Sequence, residues 1–148
     1  MEKDTNTSPQ QVLEIMLAKD QFTRWLGLEV DEVGAGYCRL HYTVNEAMLN
    51  GFSQIHGGAV FSAADSAFAF ACNSHNERAV AAQCNISFIK PGKLGDELVA
   101  TAREISRSGR SGIYDVQVTV ADTVIAEFRG HSRVIPGTWL PETDTKQK

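Results

Sequence analysis

A single carboxylate in an otherwise apolar segment has the clearest chemical potential in this sequence. Asp65 lies in a run from Ala59 to Cys72 whose other polar side chains are the hydroxyls of Ser62 and Ser66. A helix that is apolar on every side is typical of a buried position, and burying a charged group is costly unless something compensates it. An acid in such a place indicates catalysis, and the alternative is a buried aspartate that caps a neighbouring backbone segment.

Two glycines open this predicted helix. Gly57 and Gly58 place N–H groups that lack intrahelical acceptors at the positive end of the helix dipole. Without a Cβ, a carbonyl oxygen can approach the backbone closely. Such a helix start could polarise a thioester carbonyl and stabilise the oxyanion that forms when it is attacked. Close packing of the helix on a sheet would favour glycine equally well, so both interpretations stay open.

The spacing between the acid and the glycines has a consequence for assembly. Asp65 follows Gly57 by eight residues, which corresponds to about 12 Å along a helix axis. One acyl carbon cannot contact both ends of that span. Either the two residues do not cooperate, or the helix start comes from a second copy of the chain. A two-fold pairing can run two such helices antiparallel, so the chemistry predicts a homodimer.

The composition excludes several functional classes. The 148 residues are 43% hydrophobic and 22% charged, as expected for one globular domain. A net charge of −4 without a basic stripe argues against a nucleic-acid partner. The apolar run around Asp65 is too short to span a bilayer, and the polar N-terminus does not have the pattern of a secretory signal. We therefore expect a cytoplasmic protein with no membrane partner.

No spacing typical of a metal or cofactor site occurs. The histidines have no partner at i+4, and the cysteines form no C-x-x-C pair. A G-x-S-x-G elbow, a P-loop and a dinucleotide fingerprint are all missing from the sequence. We expect neither metal nor cofactor, and we interpret the thiols as reduced, buried side chains rather than catalytic ones. The residues concerned are Cys38, Cys72, Cys84, His41, His56, His75 and His131.

The periodicity predicts a single α+β domain over residues 8–138. A disordered tail is expected at residues 1–7 and a flexible tail at 139–148. No internal repeat or second domain is apparent. One helix wrapped by one antiparallel sheet is an α+β arrangement.

One helix is predicted before the sheet. It starts at Ser8 and stops at Gly27. Its apolar face is expected to continue toward Phe22, Trp25 and Leu26. Glycine suits the stop because it adopts the left-handed conformation that commonly ends a helix.

Alternating polarity predicts the strands. Residues 37–44 alternate strictly, which is typical of a half-buried strand. Four further strands follow the central helix, joined by short turns that include a flexible one at residues 106–112. We predict an antiparallel meander in which the only long crossover contains the helix.

The segment 49–68 resembles a known signature. Its pattern L-N-G-x(4)-H-G-G-x(2)-F-x(2)-A-D-x-A-F is similar to that of the PaaI-type acyl-CoA thioesterases of phenylacetate degradation. The resemblance implies the hotdog fold, in which a curved antiparallel sheet of five to six strands wraps one long helix. Supporting matches are Ala71-Cys72-Asn73, Phe88-Ile89-Lys90-Pro91-Gly92, Gly112-Ile113-Tyr114-Asp115 and Phe128-Arg129-Gly130.

The resemblance implies roles for the matching residues. Asp65 attacks the thioester or activates water against it, and Gly57 polarises the carbonyl across a dimer interface. Asn50 places the thioester or the water, and His56 orients the loop or contacts the substrate. Hydrogen bonds from Asn50 and Ser66 are expected to stabilise the carboxylate. By themselves, Asn50 suits an ordinary Asn-Gly turn and His56 an ordinary helix-entry residue.

The resemblance also implies the substrate, an aryl-acetyl-CoA of the phenylacetyl or hydroxyphenylacetyl type. The acyl group is expected beside Gly58, Phe61 and Phe68, although phenylalanines also fill cores. Glycine and basic residues in two turns are expected near the CoA phosphates, although each alone suits a solvated turn. These residues are Lys90, Lys93, Arg107, Gly109 and Arg110. A homotetramer of two dimers is the assembly that the family suggests.

Two rival functions fit some of the same residues. A hotdog hydratase or dehydratase pairs a histidine with an acid to move protons, and His56 with Asp65 superficially offers that pair. An acyl-CoA-binding module would use the fold without turnover. The Asn-Gly loop and the Ala-Asp helix favour the thioesterase.

Overall fold

Six antiparallel strands enclose a central helix in this computed structural model, which describes residues 8–141. This is the α+β hotdog architecture that the sequence predicts. The tail predicted at residues 1–7 lies outside the described residues. The helices are α1 (Ser8–Lys19), α2 (Gln21–Leu26) and α3 (Gly57–Asn73), with a 3-10 turn at Glu46–Met48. The strands are β1 (Glu29–Gly34), β2 (Tyr37–Thr43), β3 (Ala79–Phe88), β4 (Glu97–Ser108), β5 (Ser111–Val120) and β6 (Thr123–Val134).

The single N-terminal helix predicted from the sequence is in fact two helices. Asp20 interrupts it, and its carboxylate accepts a hydrogen bond of 3.0 Å from the Thr23 N–H, which caps α2. Gly27 ends α2 in the left-handed conformation at φ +79°, as predicted.

The break at Asp20 changes which side of α2 faces the core. Thr23 and Leu26 are buried, whereas Phe22 and Trp25 are 54% and 75% exposed. The apolar face predicted for Phe22 and Trp25 is therefore wrong. Because a new helix begins after Asp20, the 3.6-residue periodicity of α1 does not continue into α2. Extending that periodicity past Asp20 therefore predicts the wrong residues to be buried.

The sheet has the order β1-β2-β4-β5-β6-β3. Strands β4, β5 and β6 form the predicted meander. Strand β3 does not join it in sequence order, because it pairs with β6 at the outer edge. The chain therefore makes a second crossover between β3 and β4, which the sequence prediction lacks. Alternation specifies the two faces of a strand but not its neighbours.

The turn predicted at residues 106–112 is much shorter than expected. Strand β4 continues to Ser108 and β5 begins at Ser111. Only Gly109, at φ +59°, and Arg110 lie between them. Most of the segment is paired backbone, so the prediction of a flexible turn is wrong.

The C-terminal boundary lies beyond residue 138. The indole N–H of Trp139 donates to Asn73 Oδ1 at 2.8 Å, and the Arg78 guanidinium lies 4.4 Å from the Trp139 ring centroid. These contacts attach the chain after β6 to the end of α3. Residue 139 is therefore attached to the folded chain, and residues 142–148 of the predicted tail lie outside the described residues.

Helix α3 packs its apolar side against the sheet. Phe68 is 1% exposed, and its ring lies 5.6 Å from the Tyr114 ring and 5.9 Å from the Phe128 ring. Gly130 of β6 lies against the same ring, since a Cβ there would fall 2.7 Å from Phe68 Cε2. Among residues 8–141, no helix is long and apolar enough to cross a membrane.

Gly130→Ala should destabilise the fold. The added methyl group would overlap the Phe68 ring and force it to move, and such overpacking costs about 1–3 kcal/mol. Thermal unfolding would show the loss as a lower Tm. Gly34→Ala is the control, because a Cβ at Gly34 meets nothing within 4 Å. Equal Tm values for the two variants would contradict close packing at Gly130.

Candidate active site

The start of α3 carries an available backbone donor. The Nδ1 atom of His56 accepts a hydrogen bond of 2.8 Å from the Gly58 N–H, so His56 caps the helix. The Ala59 N–H donates to the His56 carbonyl at 2.9 Å. The Gly57 N–H has no acceptor within residues 8–141. This amide lies at the positive end of the helix dipole, so it can donate to an oxyanion.

Asn50 shapes the loop before α3. Its Oδ1 atom accepts hydrogen bonds from the Phe52 N–H at 2.9 Å and the Gln54 N–H at 3.2 Å. The amide oxygen is thereby used within the loop, and the side-chain NH₂ group remains as a donor. The expected hydrogen bond from Asn50 to Asp65 is not present among the described residues.

A cavity of about 420 Å³ joins the loop to the helix start. We call it the front cavity. Asn50, Gly57 and Lys90 line it together, with apolar walls that include Phe88 and Val60. Three residues that the sequence predicts for the site therefore meet in one space, and the charge there is positive.

Asp65 lies on a side of α3 that is not fully covered. Asp65 and Ser62 are partly exposed and Gly58 is exposed, so the prediction of a helix buried on every side is wrong here. Burial nevertheless raises the pKa of Asp65, and the nearby charge of Asp20 raises it further. Cys84 Sγ lies 4.0 Å from Asp65 Oδ1.

Ser66 does not support Asp65 as expected. The Thr23 hydroxyl donates to Asp20 Oδ2 at 2.7 Å, and Ser66 Oγ lies 2.9 Å from Thr23 Oγ1. Since a hydroxyl has one proton, Thr23 must accept from Ser66. The Ser66 proton is therefore used between α2 and α3, and the prediction that it stabilises the Asp65 carboxylate is wrong.

The two predicted phenylalanines differ in position. Phe68 is buried in the core and cannot meet a substrate without rearrangement, so its predicted contact is wrong. Phe61 is partly buried, and its ring lies 5.4 Å from the Phe128 ring. Neither Phe61 nor Phe68 lines the front cavity.

The predicted phosphate-binding residues are divided between two ends of the sheet. Lys90 lines the front cavity, and Lys93 is exposed nearby in the same connection. Arg107 forms an ion pair of 3.2 Å with Glu77. The Arg110 carbonyl accepts a hydrogen bond from the Val134 N–H, and Val134 pairs with Ala79 at the start of β3. Gly57 instead contacts Phe88 at the end of β3. Ala79 and Phe88 are nine residue steps apart along β3, a distance of about 30 Å, so the two groups are far apart within one chain.

The cysteines carry no activated thiol. Burial raises the pKa of Cys38 and Cys72 to about 12. Burial and the Asp65 carboxylate raise the pKa of Cys84 as well, although this side chain is only half-buried. Thiols with raised pKa values are poor nucleophiles at neutral pH. Within residues 8–141, no three His, Cys, Asp or Glu side chains are grouped to hold a metal ion.

Sequence reasoning missed a second cavity on the other side of the helix start. A groove of about 440 Å³ lies between α2 and α3 and includes His56 and Gly58. We call it the α2 groove. Phe22 and Trp25 form its outer wall. Their exposure depends on the break at Asp20, which the sequence pattern did not indicate.

A family model of the thioesterase superfamily matches residues 52–127, which is just over half of the chain. The chain belongs to the thioesterase superfamily. The matched region contains Gly57 and Asp65 and most of the sheet. Most of this thioesterase's candidate site therefore lies within the matched residues, and Asn50 lies just before them.

Individual relatives agree with this assignment. Acyl-coenzyme A thioesterase PaaI of Escherichia coli is 41% identical over 124 residues, covering 83% of this chain and 89% of the relative. The solved structure of E. coli PaaI, from the phenylacetic acid degradation operon, has a TM-score of 0.87 at 39% identity and covers 88% of this chain and 96% of that one. These likenesses confirm the PaaI-type resemblance, the hotdog fold and the enzyme class, a thioester hydrolase.

A more distant structure carries a ligand. The smu.793 protein from Streptococcus mutans, solved with acetyl CoA bound, has a TM-score of 0.73 at 25% identity. It covers 76% of this chain and 91% of its own. The shared fold thus accommodates an acyl-CoA in that protein.

Proposed function

We propose that this thioesterase hydrolyses aryl-acetyl-CoA thioesters to the free acid and CoA, in a site shared between two copies of the chain. The observation that carries the proposal is the free Gly57 amide, which meets Asn50 and Lys90 in the front cavity. Its E. coli relative is an acyl-CoA thioesterase and comes from a phenylacetic acid degradation operon. The aryl-acetyl group is inferred from that relative.

The edge strand β3 supports the pairing of two copies. It is ten residues long and lies at the end of the sheet order, so one side of its backbone has no strand partner among the described residues. Val80 and Phe88 are 46% and 57% exposed on it. Long apolar edges are normally covered in native proteins, and antiparallel pairing with a second β3 would cover this one.

Two contacts on β3 suggest the register of that pairing. Asp65 approaches Cys84 near the middle of the strand, and Gly57 approaches Phe88 at its end. If Cys84 of the partner subunit lies opposite Phe88, the two-fold axis falls near Ile86. The partner subunit's Asp65 then approaches Gly57, which removes the separation of about 12 Å within one helix.

The same register would unite the divided basic residues. The start of the partner's β3, with its adjoining β4–β5 turn, would lie toward the connection that carries Lys90 and Lys93. Arg107 and Arg110 of the partner subunit would then be placed for the CoA phosphates, with the Gly109 amide beside them. The resulting cationic surface suits a nucleotide with three phosphate groups.

The chemistry follows from these positions. The Gly57 N–H donates to the thioester carbonyl oxygen and holds the oxyanion as it forms. The partner subunit's Asp65, as a carboxylate, either attacks the carbonyl carbon or removes a proton from the attacking water. The Asn50 NH₂ group donates to the water or the thioester. With water as the nucleophile, the C–S bond then breaks, the free acid forms and the CoA sulfur takes up the proton that Asp65 removed. With Asp65 as the nucleophile, loss of the CoA thiolate leaves a mixed anhydride on Asp65, and a water then cleaves the anhydride to give the free acid and to restore the carboxylate.

His56 is disfavoured as a proton-transfer partner of Asp65. Its Nδ1 atom accepts a hydrogen bond from the Gly58 N–H, so this nitrogen is used in capping the helix. No hydrogen bond joins it to Asp65 among the described residues. The hydratase alternative needs such a pair, and residues 8–141 of one chain do not form it.

A mixture of two inactive variants tests the shared site. Asp65→Asn and Gly57→Pro chains, co-expressed, should recover about one quarter of wild-type turnover of phenylacetyl-CoA, because half of randomly formed dimers are mixed and each contains one intact site of two. Release of free thiol measures the rate. Light scattering should give a mass of at least twice the 16.2 kDa chain, with four chains for the proposed tetramer.

The control for this experiment is a mixture that cannot complete a site. Asp65→Asn chains combined with the Asp65→Asn, Gly57→Pro double variant contain no catalytic carboxylate at all. That mixture should stay as inactive as its components. A test mixture no more active than this control would contradict a site built from two chains, and a wild-type protein that binds acyl-CoA without releasing thiol would contradict hydrolysis.

A further inference from the structure

Helix α2 holds two aromatic rings in solvent beside the start of α3. The Phe22 and Trp25 ring centroids are 5.9 Å apart with their planes at 35°. In helix α2, the Thr23 hydroxyl is hydrogen-bonded to the Ser66 hydroxyl of α3, and Leu26 is buried. The helix backbone that carries the two rings is therefore anchored to α3. An exposed aromatic pair on an anchored helix suits contact with an apolar ligand.

The opposite wall of the α2 groove is made of small residues. Gly58, Ala59 and Ser62 of α3 face the rings across the groove, and Met48 also lines it. The Ser62 hydroxyl donates to the Gly58 carbonyl at 2.7 Å, so its proton is not free for a ligand. The groove thus offers aromatic and aliphatic surface and the space that small side chains leave open.

The two cavities flank the same helix tip. His56 and Gly58 line the α2 groove, and Gly57 lines the front cavity. A thioester whose carbonyl oxygen rests on the Gly57 amide must project its two arms to different sides. Lys90 makes the front cavity suitable for the CoA arm. The α2 groove, which holds the aromatic pair, is left for the acyl arm.

We infer that the α2 groove is the acyl subsite of this thioesterase and that Phe22 and Trp25 give it a preference for aromatic acyl groups. This inference rests on the proposed hydrolase function. A planar ring can pack against the exposed aromatic pair in an offset or edge-to-face arrangement. A two-carbon acyl group is too short to reach both rings, so the preference should increase with the size of the acyl group.

Trp25→Ala tests the subsite. In this variant, the ratio of kcat/KM for phenylacetyl-CoA to kcat/KM for acetyl-CoA should fall at least about tenfold relative to the wild type. This is the usual scale for losing an apolar contact in a specificity pocket. Phe22→Ala should act in the same direction, and Ala59→Leu should do so by filling the groove. Ile105→Ala, which removes a 53% exposed apolar side chain from β4, is the control and should keep the wild-type ratio.

The failure of this inference differs from the failure of the proposed function. Two results for Trp25→Ala would overturn the subsite. A kcat/KM ratio that stays at the wild-type value would show that the rings do not contact the acyl group. A smaller particle mass by light scattering would show that the rings belong to an interface between copies. Calorimetry on the Asp65→Asn background, in which hydrolysis is slowed at least about 10²-fold, gives the affinity ratio of the same two thioesters. Loss of that ratio on adding Trp25→Ala supports the subsite even if the wild type hydrolyses neither compound.

Discussion

Asp65→Asn should lower kcat for phenylacetyl-CoA by at least about 10²-fold, the scale expected for losing a catalytic acid or base. The substitution keeps the shape of the side chain and removes its negative charge. Because the carboxylate is partly buried and lacks a hydrogen-bonded partner other than the Cys84 thiol among the described residues, the fold does not depend on its charge. Because burial and the Asp20 charge disfavour the ionised form of Asp65, we expect a Tm at neutral pH no lower than that of the wild type, with an unchanged particle mass.

The pH dependence of the wild type should report the same group. Hydrolysis requires the carboxylate form of Asp65, and burial together with the Asp20 charge raises its pKa above the ordinary aspartate value. As the pH falls through this raised pKa, kcat/KM should fall with it, beginning at a higher pH than an exposed aspartate would give. The residual activity of Asp65→Asn should lack this acid limb.

Asp122→Asn is the matched control for Asp65→Asn. Asp122 is exposed in the β5–β6 turn at φ +67°, a conformation that asparagine also tolerates. It should retain the wild-type rate and the wild-type acid limb. If Asp65→Asn also turned over near the wild-type rate, the carboxylate would have no part in the reaction.

Gly57→Pro should lower kcat by about 10²–10³-fold, the effect of removing one oxyanion donor. Proline lacks the N–H, which at this first position of α3 takes part in no helical hydrogen bond. Its ring also suits the local backbone, since the preceding His56 has ψ 136°. The variant therefore deletes the proposed donor while keeping the helix start. Free-thiol release under saturating substrate measures the change.

Gly57→Ala separates the lost donor from the added carbon. A Cβ at this position meets Phe88 Cζ at 3.1 Å in both variants, but alanine keeps the N–H. Its rate should therefore lie much closer to the wild type than that of Gly57→Pro. Equal losses in the two variants would show that close packing explains the glycine.

The central helix and its chemistry were predictable because they depend on neighbouring residues. The segment around Asp65 is predicted to be helical from its own residues alone. Its apolar composition and the glycines at its start are local properties of the sequence. The alternation of β2 likewise specified its buried face. The break at Asp20 was not predicted, because an aspartate within an apolar period can cap a new helix or lie on the exposed side of a continuous one.

The placement of the predicted site residues depended on distant pairings. Ser66 belongs to the bridge with Thr23, and Phe68 lies on Gly130, a glycine more than sixty residues away in the chain. Neither partner is visible in the local pattern around the residue. The predicted contacts of Ser66 and Phe68 were therefore wrong, although both residues lie in the motif that identifies the family.

The sequence by itself determined the helix that begins at Gly57, the acid that follows it by eight residues and the family to which the pair belongs. Tertiary structure alone decided that β3 lies at the open edge and that α2 turns Phe22 and Trp25 outward. Local patterns specify which face of an element is apolar. Neighbours across a sheet or between helices depend on contacts between residues far apart in the chain, which no local pattern encodes.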